Sequence, residues 1–292
     1  MFGFLNINKP EGCTSHDVVA ILRKSLGIKK IGHSGTLDPF ATGVLVVGIN
    51  NATRLFEYLP DDKVYLAEVV FGIGTDTDDI TGNVLTRSEN IPTLDEIKEK
   101  ISSFVGQIKQ KPPIFSAIKI NGDRAYKLAR GKQIELNNMN EKTIEIYSIE
   151  IISYLNNKLE LKIHCSGGTY IRSIARDLGQ MLNTCAVLSS LKRIKIGQYF
   201  NYEQSVGVSL VNKSNFMNHL ISPLSVMMLP KIYLDSQSVI DIFHGKSVVG
   251  TDQCVCPAIG SNIQLLDNNN NLLAIGSLVD NNIIKPKKVF VK

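Results

Sequence analysis

A chain of 292 residues with 43% hydrophobic side chains has material for one large core and a smaller one, and its 20% charged content is too low for a disordered polyelectrolyte. The formal net charge of +5 suits a polyanionic partner, and no apolar run approaches the roughly 20 residues that a membrane-spanning helix needs, so no membrane anchor is expected. The opening residues, Met1 to Asn8, carry neither the basic start nor the small-residue cleavage site of a secretory signal, which makes the cytoplasm the expected location.

The first predicted element is a helix in which Val18, Val19, Leu22 and Leu26 recur at helical spacing, with Ser15 as its cap and Gly27 as its left-handed stop. A glycine-rich loop follows. Residues 43–49 and 65–73 read as strands on either side of the chemistry that this loop could carry. Thr93-Leu94-Asp95-Glu96 is a capping box opening a helix to about Phe104, and Pro112-Pro113 stops whatever precedes it.

From there to about Asn140 the chain is polar, basic and poorly periodic. It places Lys119, Arg124, Lys127, Arg130 and Lys132 among Ile118, Ile120, Tyr126 and Leu128, as an excursion from the core would. Residues 144–155 and 159–165, separated by Asn156-Asn157-Lys158, read as a hairpin. Helical spacing returns over 170–182 after Gly167-Gly168. A domain boundary is expected near Pro230, and the short apolar runs beyond it, broken by Gly and Asn, predict a small β-rich module.

Five cysteines, Cys13, Cys165, Cys185, Cys254 and Cys256, form an odd and widely spaced set, and Cys-x-Cys is not a zinc-ribbon spacing. They read as reduced thiols, with no metal implied. Asp76-Thr77-Asp78-Asp79 invites a calcium loop, but Ile80 and Thr81 stand where the fifth-place ligand and sixth-place glycine belong. Gly72-x-Gly74 lacks the third glycine and following helix of a dinucleotide site, so no nicotinamide is implied.

The chemistry concentrates in Gly32-His33-Ser34-Gly35-Thr36-Leu37-Asp38-Pro39-Phe40-Ala41-Thr42-Gly43. Pro39 restricts Asp38 to extended backbone, which holds its carboxylate in one place. Asp-Pro is also a common capped turn, and these two residues alone leave both readings open.

The twelve-residue run resembles the G-H-x-G-T-L-D-P-x-A-x-G signature of the TruB family of pseudouridine synthases. Further segments resemble that family in the same order: Asn8-Lys9-Pro10-x-Gly12 with Thr14-Ser15-His16-Asp17, Lys63-x-Tyr65, Gly74-Thr75-Asp76-Thr77-Asp78, Pro112-Pro113 with Ser116-Ala117, and Gly168-Thr169-Tyr170-Ile171-Arg172. The likeness is strong over about residues 5–200 and looser beyond.

The resemblance implies an isomerase that converts uridine to pseudouridine at position 55 of the TΨC loop of tRNA, without cofactor or metal. Asp38 would be the nucleophile or essential carboxylate, Arg172 its cationic partner, and Tyr65 the ring that stacks on uracil and takes a proton. Tyr170 and Leu191 would line the base pocket and His33 would insert into the RNA loop. Residues 112–140 would be a thumb closing over the RNA. The implied fold is α+β, a mixed and largely antiparallel sheet in a catalytic domain of residues 1–230, followed by a PUA-like RNA-binding domain of residues 231–292. The partner implied is the TΨC stem-loop of tRNA, with no protein partner. Two departures bear on RNA affinity: Lys192 where Arg is frequent, and Gly167 where many members carry Lys. Two further readings remain beside this one: an RNA-binding folding factor whose catalysis is dispensable, and a guide-directed synthase, against which the compact length argues.

Overall fold

The computed structural model describes residues 1–116, 118–120, 123–131, 139–250, 258–280 and 282–290. Lys132, in the basic excursion, and the pair Cys254 and Cys256 lie outside the described residues.

In chain order the elements are β1 (Gly3–Lys9), α1 (Ser15–Leu26), β2 (Ile31–Ser34), β3 (Thr42–Ile49), β4 (Lys63–Phe71), β5 (Ile73–Thr75), β6 (Val84–Arg87), α2 (Leu94–Ile101) and β7 (Gly106–Gln110). Next come β8 (Lys119–Ile120), β9 (Asp123–Arg124), α3 (Ala125–Arg130), β10 (Lys142–Leu155), β11 (Lys158–Cys165), α4 (Ile171–Met181), β12 (Ala186–Ile196), β13 (Phe200–Asn201), β14 (Val206–Gly207) and α5 (Pro223–Val226). The C-terminal elements are β15 (Lys231–Tyr233), α6 (Ser236–Phe243), β16 (Val248–Val249), β17 (Asn262–Leu266), β18 (Leu272–Asp280) and β19 (Ile283–Val289).

Ten strands form one sheet in the order β14-β1-β3-β12-β4-β11-β10-β7, with β13 and β2 attached to β12 and β3. Only β1/β14 and β3/β12 run parallel, so the sheet is mixed and largely antiparallel. The α+β class that the resemblance implies is what the chain adopts. The β3/β12 contact has a steric condition: Gly43 sits at φ 99°, and a Cβ there would lie 2.2 Å from the Arg193 carbonyl oxygen. Glycine alone lets these two strands meet.

Period-two burial decides which face of the sheet is covered. On β4, Tyr65, Ala67, Val69 and Phe71 turn inward together, and on β11 Leu159, Leu161 and Ile163 do the same. They pack under α2 and α4 through Ile97, Ile101, Ile174 and Leu178. Truncating one of the largest, Phe71→Ala, would cost about 3–5 kcal/mol in lost burial and cavity. A second cluster packs α1 on β1 and β3 through Val18, Leu22, Leu5 and Leu45.

The predicted strand over 65–73 ends at Phe71, because Gly72 turns at φ 90° before the short hairpin of β5 and β6. The hairpin over 144–165 forms as expected, and Asn156 and Asn157, with φ of 50° and 60°, supply the left-handed turn between β10 and β11. The Thr93 box caps α2.

One helix cap differs from expectation. Thr14, not Ser15, caps α1, in a reciprocal box with Asp17. This leaves the buried Ser15 hydroxyl to accept from the Leu37 amide at 2.9 Å and donate to the Leu37 carbonyl at 3.2 Å.

A second sheet, ordered β15-β17-β18-β19-β16, begins at Lys231. Leu272 and Ile275 of this sheet, with Phe290 just after β19, share a cluster with Phe4 and Phe200 of the first sheet and with Leu55. Polar contacts reinforce the junction: Arg54 donates to the Val289 carbonyl and Lys288 donates to the Arg54 carbonyl. Among the described residues no helix is long and apolar enough to cross a membrane.

Candidate active site

The loop carrying Asp38 is fixed from below by groups the sequence places far away. Ser15 holds Leu37 on one side of Asp38, and on the other the Pro39 carbonyl accepts from the Gly12 amide at 2.9 Å. Lys9 is wholly buried, and its ammonium donates to the carbonyls of Pro10, Cys13 and Pro39 at 2.9, 2.6 and 3.2 Å. A buried cation satisfied by three carbonyls ties the end of β1 to the loop.

Asp38 opens onto a cavity of about 860 Å³, also lined by Thr14, Tyr65, Asp79, Tyr170, Arg172, Leu191 and Arg193. Five of the six expected site residues therefore meet in one place: Asp38, Tyr65, Tyr170, Leu191 and Arg172. His33 is not among the residues lining this cavity; it stands on β2 opposite Val47.

Arg172 lies in the first turn of α4 and grips Asp38 with two nitrogens. Its Nη2 donates to Oδ1 at 3.1 Å, while Nε lies 2.9 Å from Oδ2 as a charge contact without hydrogen-bond geometry. The Arg172 side chain is 5% exposed and that of Asp38 is 32% exposed, so the cation is sealed inside and the carboxylate faces the cavity. Arg172 is held in turn by the carbonyls of Thr77 and Phe115 at 2.8 and 3.0 Å, with Asp79 at 3.6 Å. An arginine fork suits this set of partners where a lysine would not.

The electrostatics of Asp38 are a contest. Burial pushes its carboxyl above the usual carboxylate range, the Arg172 guanidinium pulls it back, and Asp79 pushes it further up. Arg172 therefore offsets only part of the cost of burying the carboxylate, and desolvation has the larger effect.

The acidic run 76–79 is occupied by internal contacts. Asp79 accepts from Thr77 at 2.9 Å and from the Thr81 amide at 3.0 Å, Asp78 pairs with Arg176 at 2.8 Å, and Asp76 accepts from the Asn83 amide at 2.8 Å. Arg176, one turn beyond Arg172, also donates to the Lys111 carbonyl at 2.8 Å. The start of α4 thus fastens both the acidic loop and the entry to the basic excursion around Asp38.

Tyr65 and Tyr170 flank the carboxylate from two elements. Tyr65 is opposite Arg193 in the β4/β12 register, and Leu191, two residues before Arg193, faces the same side. Burial raises the Tyr65 phenol, with Arg193 offsetting part of the shift, so the hydroxyl is neutral at ordinary pH. Tyr170 caps α4 without a side-chain cap; instead Gln110 accepts from its amide at 2.9 Å and donates to its carbonyl at 3.0 Å. For His33, burial and then the Arg193 charge lower the imidazole, keeping it neutral.

Arg193 is the residue that sequence reasoning passed over. Among the described residues it is the largest fully buried side chain, with Nε donating to the Val44 carbonyl at 2.8 Å and Nη2 to the Gly35 carbonyl at 2.9 Å. Within the run 192–195 it reads as one surface cation among several. Period-two spacing from Leu191 was the signal that would have turned it inward. Lys9, in the Asn8-Lys9-Pro10 motif, and Asp79, in the acidic run, carry no local signal of their inward placement.

Residues 23–171 match the family model described as TruB family pseudouridylate synthase (N terminal domain). The chain is 42% identical over 299 positions to tRNA pseudouridine synthase B of Microcystis aeruginosa, covering 99% of both. It is 46% identical to the protein of that name from Prochlorococcus marinus, over 80% of this chain and 75% of the relative. Identity is 42% with that of Thermosipho melanesiensis, over 84% and 80%. Among solved structures, a Cbf5-Nop10-Gar1 complex contains a chain that superimposes with a TM-score of 0.71 at 25% identity, covering 99% of this chain and 85% of that one. An H/ACA RNP bound to a substrate RNA containing 2′-deoxyuridine gives 0.72 at 24% identity, with the same coverage, a likeness of fold.

Proposed function

The chain belongs to the TruB family of pseudouridylate synthases, and from that membership we propose that it is a tRNA pseudouridine synthase, an isomerase that converts uridine 55 of the TΨC loop with Asp38 as its essential carboxylate. The observation that carries the reading is the two-nitrogen grip of Arg172 on Asp38 at a cavity also lined by Tyr65, Tyr170 and Leu191.

The reaction breaks the C1′–N1 bond, leaves the electron pair on the uracil, turns the ring and joins C5 to C1′. The C5 proton is lost and N1 ends protonated, so atoms balance without redox or a group donor. Positive charge develops at C1′ as the bond breaks, and a carboxylate there stabilises it or attacks it. Arg172 orients Asp38 and favours its ionised form. Tyr65 stacks on the ring, and its neutral hydroxyl, beside Arg193, is the group we assign to relay the C5 proton, its own proton passing to solvent as it accepts the one from C5. Tyr170 and Leu191 close the pocket around the base.

A uridine must leave its stack to reach Asp38, at a cost of a few kcal/mol. His33, outside the cavity and neutral, is assigned to fill the vacated place in the RNA loop. Residues 112–140 form the closing thumb in this reading, residues 1–230 the catalytic domain and residues 231–292 a PUA-like RNA-binding domain; the working place is the cytoplasm. A folding factor that only bound RNA would have no use for a paired carboxylate facing a cavity.

The test is to incubate purified protein with an unmodified tRNA transcript and map pseudouridine, beside a transcript carrying cytidine at position 55. Modification confined to the first transcript at that uridine supports the reading. Modification elsewhere removes the positional assignment, and none at all removes the enzyme reading.

A further inference from the structure

A uridine delivered to Asp38 carries its C1′ to the carboxylate and leaves its two flanking phosphates at the cavity rim, because the charged backbone stays in contact with water. The rim is formed in part by Gly168, Thr169 and Tyr170. Its cations are not equivalent. Lys63 donates to the Asp61 carbonyl, and Arg193 is spent on the carbonyls of Val44 and Gly35.

Lys142 is different. It begins β10 opposite Gln110, the residue that holds both the amide and the carbonyl of Tyr170, so register puts Lys142 beside this rim. The ammonium extends across Gly168, where a Cβ would lie only 2.3 Å from Nζ; Gly168, at φ 82°, leaves room for it. Lys142 is exposed, and among the described residues it has no ion pair or hydrogen bond. At the neighbouring Gly167 a Cβ would lie 2.0 Å from the Asp61 carboxylate, so an acid fills the space on that side. An unpaired cation held over bare backbone, beside an acid that repels the same ligand, marks where a phosphate can bind.

We propose that Lys142 binds a backbone phosphate next to the flipped uridine, crossing Gly168 to do so, and that it positions RNA without taking part in the chemistry. This rests on the RNA-modifying function proposed above.

The test uses the full chain and an unmodified tRNA transcript, with Kd measured by filter binding in an Asp38→Asn background over a range of salt and single-turnover rates measured at saturating enzyme. Lys142→Ala raises Kd about five- to tenfold and lowers the slope of log Kd against log salt by roughly 0.7–0.9. The saturated rate stays within about twofold of wild type, since the contact is made equally in ground and transition states. Lys142→Arg restores affinity, and Lys158→Ala, at the far end of the same hairpin and paired with Glu68, changes neither quantity. Unchanged Kd and salt slope in Lys142→Ala, with wild type still modifying the transcript, would overturn this proposal alone. A wild type that neither binds nor modifies the transcript would overturn it together with the function on which it rests.

Discussion

Arg172 and Asp38 meet through two nitrogens and two oxygens, at 2.9 and 3.1 Å, with the guanidinium buried and the carboxylate facing the cavity. Neither side chain could be moved alone. Arg172→Ala leaves Asp38 and Asp79 without their shared cation and strips the Thr77 and Phe115 carbonyls of their donor. Breaking a buried pair in this way costs about 3–5 kcal/mol, read as a lower thermal midpoint. Arg172→Lys retains charge but not the fork, and kcat/KM falls by about 100-fold or more. A lysine variant with wild-type activity would show that charge alone matters here.

Because burial raises the Asp38 carboxyl above its ordinary 3.8, acidity acts on activity and stability with opposite signs. Activity requires the ionised form, so kcat/KM declines on the acid side with an apparent pKa above 3.8. The folded state binds the proton more tightly than the unfolded state. The cost of charging Asp38 is therefore absent below the unfolded pKa, grows as pH rises toward the folded pKa and is complete above it. Denaturation of wild type and Asp38→Asn across this window checks the sign: the stability difference moves in favour of Asn as pH rises. A shift toward wild type would mean that Arg172 outweighs desolvation.

Ser15 touches no substrate in this account, yet Ser15→Ala should slow the reaction. The change strands the buried Leu37 amide, a loss of about 1–3 kcal/mol, and loosens the residue before Asp38. The single-turnover rate falls while Kd for tRNA stays near wild type. Equal rates would mean that Lys9 and the Pro39 contacts hold the loop unaided.

Gly43→Ala forces a Cβ to within 2.2 Å of the Arg193 carbonyl at a backbone φ of 99°. We expect a loss of about 2 kcal/mol or more, seen as a lowered thermal midpoint, together with reduced activity because Arg193 moves with its strand.

Tyr65→Phe separates stacking from proton transfer. The ring remains, so RNA affinity is retained, while the isomerisation slows by about 100-fold or more. If Phe worked as well as Tyr, the hydroxyl would have no part in the chemistry.

Much of the frame is legible in the sequence because local signals agree with the final packing. Thr93 caps its helix, Asn156 and Asn157 turn their hairpin, and Gly27 ends α1 as their residue types dictate. The site is legible through motif likeness and the restriction Pro39 places on Asp38. What escaped depends on contacts distant in the chain. Ser15 and Thr14 are both capping residues by type; Asp17 three residues on completes the box for Thr14, and the approach of Leu37 then uses the Ser15 hydroxyl. Arg193 turns inward because Gly43 lets β3 come within reach of β12, a relation no local pattern contains. The raised carboxyl of Asp38 likewise follows from the mass of protein around the cavity, not from its neighbours in sequence.

The most direct test of the account is pseudouridine formation in an unmodified tRNA transcript by wild type and by Asp38→Asn, with RNA binding measured for both. The account predicts conversion by wild type, none by the variant, and comparable Kd values. Conversion by Asp38→Asn at the wild-type rate would contradict it, since the carboxylate gripped by Arg172 would then be dispensable.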